Sequence, residues 1–183
     1  MKSPIRASRA PRAPRAPRAL VSLTRLLAIA IVLSTALTIV GPASHPKAAA
    51  AQTTAEYMEG LLVKWVNDAR ANRGIPRLMV GTKLTDLAIY RAKTMASNNK
   101  LAHPSCLGCL LTKWGITWHT CAEVIGSTTY PWGYQAALSI YRAWRGSSGH
   151  WSILMSRSYT RFGMGVAYRS SNHTTFAASV LAG

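Results

Sequence analysis

Acidic residues are nearly absent from this chain. Five Asp and Glu stand against 22 Lys and Arg in 183 residues, a formal charge of +17. The first acid is Glu56, so nothing balances the cations that precede it. With so few carboxylates, one that meets two imidazoles would be conspicuous, because these groups bind metals or move protons near neutral pH. Cysteine is scarce as well: there are three, and an odd count excludes complete pairing in an oxidising compartment. The basic start contains no Arg-Arg pair, which favours the general secretory route over the twin-arginine one. No nucleic-acid motif and no repeat of domain scale is present, so nucleic acid is not an expected partner.

The first 51 residues read as a leader. Lys2, Arg6, Arg9, Arg12, Arg15, Arg18, Arg25 and Lys47 are its cations, and Ala-Pro-Arg recurs at 10–12, 13–15 and 16–18; proline keeps this tract out of helix. Leu26 to Val40 is uncharged and mostly apolar, Gly41-Pro42 breaks it, and four alanines end at Ala51. This order is that of a secretory signal peptide. A retained membrane anchor is the alternative, although the apolar stretch is short for a span of roughly 20 residues unless Leu20 to Leu23 extend it. Residues 52–183 then form one domain, enough for a single core. Eight of the 22 cations precede Gln52, leaving 14 against 5 acids, a net +9. That surplus suits anionic lipid head groups or cell-envelope polymers, with the protein peripheral to the membrane after cleavage.

Periodicity predicts a helix from Thr53 to Arg73, opened by the capping-box pair Thr53 and Glu56 and closed by Gly74 and Pro76. A second runs from Thr82 to about Asn98, with Leu84, Leu87, Ala88, Arg91, Ala92 and Met95 on successive turns. Residues 104–130 read as irregular, and a third helix spans Pro131 to Arg145, stopped by Gly146-Ser-Ser-Gly149. Alternation in Phe162–Tyr168 and Thr174–Leu181, joined at Ser170-Ser-Asn172, predicts a hairpin. The expected class is α+β, with helices packed on a small antiparallel sheet.

Cys106, Cys109 and Cys121 are the disulfide candidates. Cys121 paired with either of the others would close a loop of roughly 12 to 15 residues, worth on the order of 3 kcal/mol. A zinc site from the Cys-x-x-Cys, His119 and Cys121 is the competing reading, but its His-x-Cys arm is too tight for the usual ligand spacing. A thioredoxin-like centre would need a strand and a helix around the Cys-x-x-Cys, and the pattern predicts neither.

Three polar residues stand out in short phrases: His103 in Leu101-Ala-His103, Glu123 in Cys121-Ala-Glu123-Val-Ile-Gly126, and His150 in Ser147-Ser-Gly-His150-Trp151. Each also has a plain role open to it. A histidine past a helix end caps carbonyls, and Glu123 can neutralise a nearby arginine.

The whole string resembles the CAP superfamily, the cysteine-rich secretory, antigen 5 and pathogenesis-related 1 proteins that share the SCP domain. The motifs are Asn67-Asp-Ala-Arg70 with Gly74-Ile-Pro76 and Leu78, then Leu84, Ala88, Ala92 and Met95 leading to His103. They continue with Ala122-Glu123, Trp144-Arg-Gly-Ser-Ser-Gly-His150-Trp-Ser-Ile-Leu154, and Phe162-Gly-Met-Gly-Val-Ala-Tyr168. They cover roughly residues 56–182 in the manner of short bacterial secreted forms. The resemblance implies a three-layer α-β-α sandwich and a cleft in which His103, Glu123 and His150 can hold a divalent metal such as zinc, with Ser147 as cleft support where the family has a second glutamate. The phrase usually reading Gly-Glu-Asn is Ala122-Glu123-Val124 here, so an amide is lost. With one acid and one polar support fewer, a binding module is expected rather than an enzyme. The alternative is an extracellular hydrolase of peptide or cell-wall glycan bonds with Glu123 as general base. Ser147 and Ser148 near His150 read as turn residues rather than nucleophiles. The six tryptophans read as packing residues, with an aromatic-lined cleft for a sugar ring or acyl chain as the alternative.

Overall fold

The computed structural model describes residues 52–183; the expected leader, and with it the choice between signal peptide and anchor, lies outside the described residues. The elements are α1 (Thr54–Ala71), β1 (Met79–Val80), α2 (Thr82–Asn98), α3 (Leu107–Lys113), β2 (Cys121–Thr128), α4 (Tyr134–Gly146), α5 (Ser148–Leu154), β3 (Arg161–Arg169) and β4 (Thr174–Ala182). None of the described helices is long and apolar enough to cross a membrane.

The first helix begins where its capping box sits. Thr53 accepts from the Glu56 amide, and Glu56 accepts from the Thr53 amide in return, satisfying two donors that a helix start leaves unpaired. The second spans Thr82–Asn98 as expected and ends on Asn99 in the left-handed region, which asparagine tolerates. The terminal hairpin forms as expected, turning through a 3-10 segment at Ser170–Asn172 and a left-handed His173.

Four strands make one sheet in the order β1-β3-β4-β2. It is not purely antiparallel. β3 and β2 flank β4 antiparallel, whereas the two-residue β1 joins β3 in parallel, with the Met79 amide donating to Thr160 and the Gly81 amide to Phe162. Two further corrections fall in stretches read as irregular or as turn. Residues 104–130 contain α3 and β2, and Ser147–Gly149 opens α5 rather than simply ending α4. Short elements like these carry too few residues for a period to show.

Strand alternation sorts the side chains onto two faces. Val124 of β2, Phe162, Met164 and Val166 of β3, and Leu181 of β4 join the main core with Met58, Leu62 and Val66 of α1, Ile140 and Trp144 of α4, and Leu154 of α5. The opposite face meets α2, through Leu84, Leu87 and Ala88 against Val180 and Ala182 and through Met95 against Ile125 and Phe176. The result is an α-β-α sandwich.

On the α2 face, β3 presents glycines. A Cβ at Gly163 would overlap the backbone of Leu84 and Thr85, and one at Gly165 would overlap Ala88 and Ile89. The helix backbone therefore lies directly on the strand, a distance only glycine permits. On the other face, Asn67 pairs with Leu78 in both directions, 3.0 Å from its amide to the carbonyl and 2.8 Å from the Leu78 amide to its oxygen. Arg70, 1% exposed, donates to the carbonyls of Pro76, Leu154, Ser156 and Tyr159. Burial presses its guanidinium pKa down, yet with no acid beside it four carbonyl dipoles carry the charge. These contacts tie α1 to the turns before β1 and after α5.

Beyond Phe162 the outer edge of β3 has no strand partner among the described residues, and Glu59 of α1 accepts from the Val166 amide there at 3.0 Å. Burial raises the Glu59 pKa to about 7, opposed by that hydrogen bond. The folded state thus holds a proton that the unfolded chain releases near 4.5, so this group's stabilisation is complete below that pH and lost as pH rises through about 7. Thermal melts should show Glu59→Gln flattening the decline in Tm between pH 5 and 7.5; an unchanged slope would exclude this assignment. Gly165→Ala should lower the unfolding free energy by about 3 kcal/mol, the upper end of overpacking costs. Gly146→Ala, where nothing lies within 4 Å, should leave urea denaturation unchanged or slightly more stable.

Candidate functional site

Glu123 sits on β2 with its side chain on the same sheet face as Ile125, toward α2. Its side chain is 1% exposed, which would be prohibitively costly for a lone carboxylate. Arg91 is its partner. Arg91 Nε donates to Oε1 at 2.7 Å and the same guanidinium reaches Oε2 at 3.5 Å, while Nη2 donates to the Ala102 carbonyl at 2.6 Å. Arg91 projects from α2 into the apolar stripe, and α2 is fixed by the glycine contacts of β3. The geometry of the ion pair is therefore set by the sandwich itself.

His103 completes the group. Its Nδ1 lies 2.9 Å from Glu123 Oε2. An ionised carboxylate only accepts, so Nδ1 carries the proton, and the neutral ring has its lone pair on Nε2. With 56% of its side chain exposed, His103 is the outward member of the set and Glu123 the hidden one. The chain of groups runs from guanidinium through carboxylate to imidazole and ends at solvent.

His150 is placed differently. It lies in the first turn of α5, whose Leu154, Trp151 and Ile153 belong to the core on the other face of the sheet. β2 is one of the two edge strands, and α5 is anchored beside it through Leu154 in the main core. No hydrogen bond joins His150 to Glu123 or His103, and its Nδ1 is buried without a partner among the described residues. Among the described residues no three His, Cys, Asp or Glu side chains gather closely enough to hold a metal. The candidate donors are thus His103, with Glu123 behind it, and His150, with no described contact between the two rings. Ser147 is half-buried at the junction of α4 and α5, and its hydroxyl makes no capping bond. His119 is exposed on the approach to β2, and His173 accepts or donates at 2.8 Å with the Tyr168 hydroxyl in the hairpin turn.

The cysteines correct the loop-closing pairings expected from spacing. Cys106 and Cys109, with Cα atoms 5.3 Å apart, are joined to each other, and Cys121 is free. That separation lies within the disulfide range. Cys106 caps α3 and Cys109 occupies its first turn, whereas Cys121 opens β2 and packs against the core cluster that holds Leu84, Leu87, Leu111 and Val180. Burial there raises the Cys121 thiol pKa, the environment of an unreactive cysteine. A helix thus does begin at the Cys-x-x-Cys, but no strand leads into it.

Several tryptophans are less buried than a core role requires. Trp144 is in the core, donating to the Ile125 carbonyl at 2.8 Å. Trp65, Tyr141 and Trp151 form a half-buried row, with ring centroids 5.4 and 6.0 Å apart and Arg73 lying 5.2 Å over Trp151. The residue that sequence reasoning placed without a role is Arg91. Its signal was present: a cation in the apolar register of α2, in a chain with one acid inside an apolar strand.

Solved structures with the same fold come from several bacteria. An extracellular protein containing a SCP domain from Bacillus anthracis superposes with a TM-score of 0.60 at 20% identity, covering 70% of this chain and 41% of that one. A cysteine-rich secretory protein from Staphylococcus aureus gives 0.56 at 20% identity, over 70% and 38%. An outer surface protein from Borrelia burgdorferi gives 0.58 at 14% identity, over 68% and 91%. This chain therefore spans about two fifths of the Bacillus and Staphylococcus proteins. No curated protein matches it by sequence. The model of the cysteine-rich secretory protein family, CAP, matches residues 63–180, from within α1 to near the end of β4. With that match over an α-β-α sandwich, the chain belongs to the CAP family of cysteine-rich secretory proteins.

Proposed function

We propose that this protein is a non-catalytic binding module of the cell envelope or extracellular space, with His103 as its presented polar group and a basic surface for anionic envelope polymers or lipids. The observation that carries this reading is the full engagement of Glu123. Both its oxygens are taken, by Arg91 and His103, and its side chain is 1% exposed. A general base needs hydrogen-bond reach to a water or substrate, and this carboxylate instead fixes the orientation of an imidazole. The extracellular and surface descriptions of the Bacillus and Borrelia structures support the location.

Zinc is the cofactor this donor set would take. His103 backed by Glu123 follows the carboxylate–histidine–metal arrangement, and the unpartnered Nδ1 of His150 is consistent with a ring whose ligand is missing. When bound, the metal would supply Lewis acidity or a bridge to an anionic ligand. Two imidazoles form an incomplete shell, so retention would be weak and pH-dependent.

Calorimetry on the purified protein should show zinc binding that both His103→Ala and His150→Ala abolish; no heat from the wild type would remove the metal from this reading. Turnover of a peptide or cell-wall glycan fragment that Glu123→Gln eliminates would overturn the binding module in favour of a hydrolase. Arg91→Gln should destabilise by about 3–5 kcal/mol in urea, because it leaves Glu123 buried and unpaired. Adding Glu123→Gln to that variant should recover a large part of the loss.

A further inference from the structure

Away from Glu123, the last turns of α2 and the end of β3 enclose an open recess of about 370 Å³. Lys93, Ser97, Tyr168, Arg169, Ser170 and Ser171 supply its polar wall, and no acidic residue lines it. Arg169 is held in place by one nitrogen. Its Nη1 donates to the carbonyls of Ala96 at 2.9 Å and Ser97 at 3.0 Å, closing the C-terminal end of α2. Its Nε is buried without a partner, and its Nη2 has none among the described residues. Capping the helix therefore takes the two Nη1 donors and leaves the three on Nε and Nη2 unspent, the Nε one beneath the surface. Lys93 is exposed one turn earlier on α2, and the hydroxyls of Ser170 and Ser171 bond to no described residue.

Beside these donors stands an aromatic surface. Tyr168 is 38% exposed, its ring is 5.2 Å from that of Trp132, and its hydroxyl is fixed by His173 at 2.8 Å. Glu59, whose carboxylate senses the charge of Lys93, is turned to the Val166 amide, and burial brings its pKa to about 7. It is a weak competitor for the cation.

We infer that this recess binds a phosphate group carried on a polyol or sugar, with Arg169 and Lys93 meeting the charge, Ser170 and Ser171 the remaining oxygens, and Tyr168 the carbon skeleton. A phosphate has enough acceptor oxygens for a guanidinium fork, an ammonium and two hydroxyls, whereas a carboxylate would leave donors unmatched. The inference deepens the reading of a basic surface toward anionic polymers, and rests on it for the source of the ligand. The same chemistry comes as a soluble polyol phosphate or as a phosphodiester polymer of the envelope.

The test is a titration of the purified protein, followed by amide NMR, with glycerol 3-phosphate and with polyglycerol phosphate, each against chloride at matched ionic strength to remove general screening. Saturable shifts concentrated at Arg169, Ser170 and Ser171 are expected, weakened about tenfold by Arg169→Gln and about fivefold by Lys93→Gln. Lys93→Gln changes an exposed side chain outside every core contact, so it keeps the test decisive if Arg169→Gln loosens α2. Shifts spread over the whole surface, or an affinity unchanged in Lys93→Gln, would overturn the recess. Polymer binding of unchanged affinity in Lys93→Gln overturns the recess and leaves the basic-surface reading standing. Localised shifts with glycerol 3-phosphate but none with the polymer support the recess and remove the polymer as its ligand.

Discussion

The contact between the backbone of α2 and the glycines of β3 sets the positions of nearly everything else on that side of the molecule. Gly163 and Gly165 let the helix axis come close enough for Leu84, Leu87 and Ala88 to reach past β3 onto β4. With α2 seated, Arg91 projects toward β2, two strands away, and the chain leaving the helix brings the Ala102 carbonyl and His103 to the same place. The polar centre is a by-product of helix–sheet distance. A sheet with side chains at those two positions would hold the helix farther out, and the guanidinium would no longer meet the carboxylate.

Two arginines lie in the interior, and the chain handles them differently. Arg70 is surrounded by backbone carbonyls from segments distant in sequence, so it acts as a clip between turns and needs no counter-charge. Arg91 is matched with a carboxylate of equal burial, and the pair is neutral as a unit. The first arrangement tolerates small displacements, because carbonyl dipoles are numerous and soft. The second does not, since separating the pair exposes each partner to the full cost of unpaired burial. This explains why a chain so poor in acids spends one of five inside the fold.

The longer elements were legible because their signals are local. The capping box of α1, the apolar stripe of α2 and the alternation of the hairpin each repeat over enough residues to rise above composition. α3, α5 and β1 span seven, seven and two residues, too few for a period, and they exist because neighbours hold them. β2 was hidden by the glycine and cysteines around it and by Glu123 at a position that reads as polar until its partner is known. The family string correctly announced the sandwich. Of the three polar residues it drew together, His103 and Glu123 touch, while His150 stands in the first turn of α5 with no hydrogen bond to either.

The strand order carries a consequence for how the chain reaches this state. β4 lies between β3 and β2, so it is the hub of the sheet, yet in sequence it follows every other element. Until it is made, β2 has no neighbour at all and β3 has only the two residues of β1. A growing chain can form its helices early, since their contacts are local, but not the surface on which they rest. Assembly is thus deferred to a late, concerted step, and the chain remains without its sheet until almost all of the domain has been made.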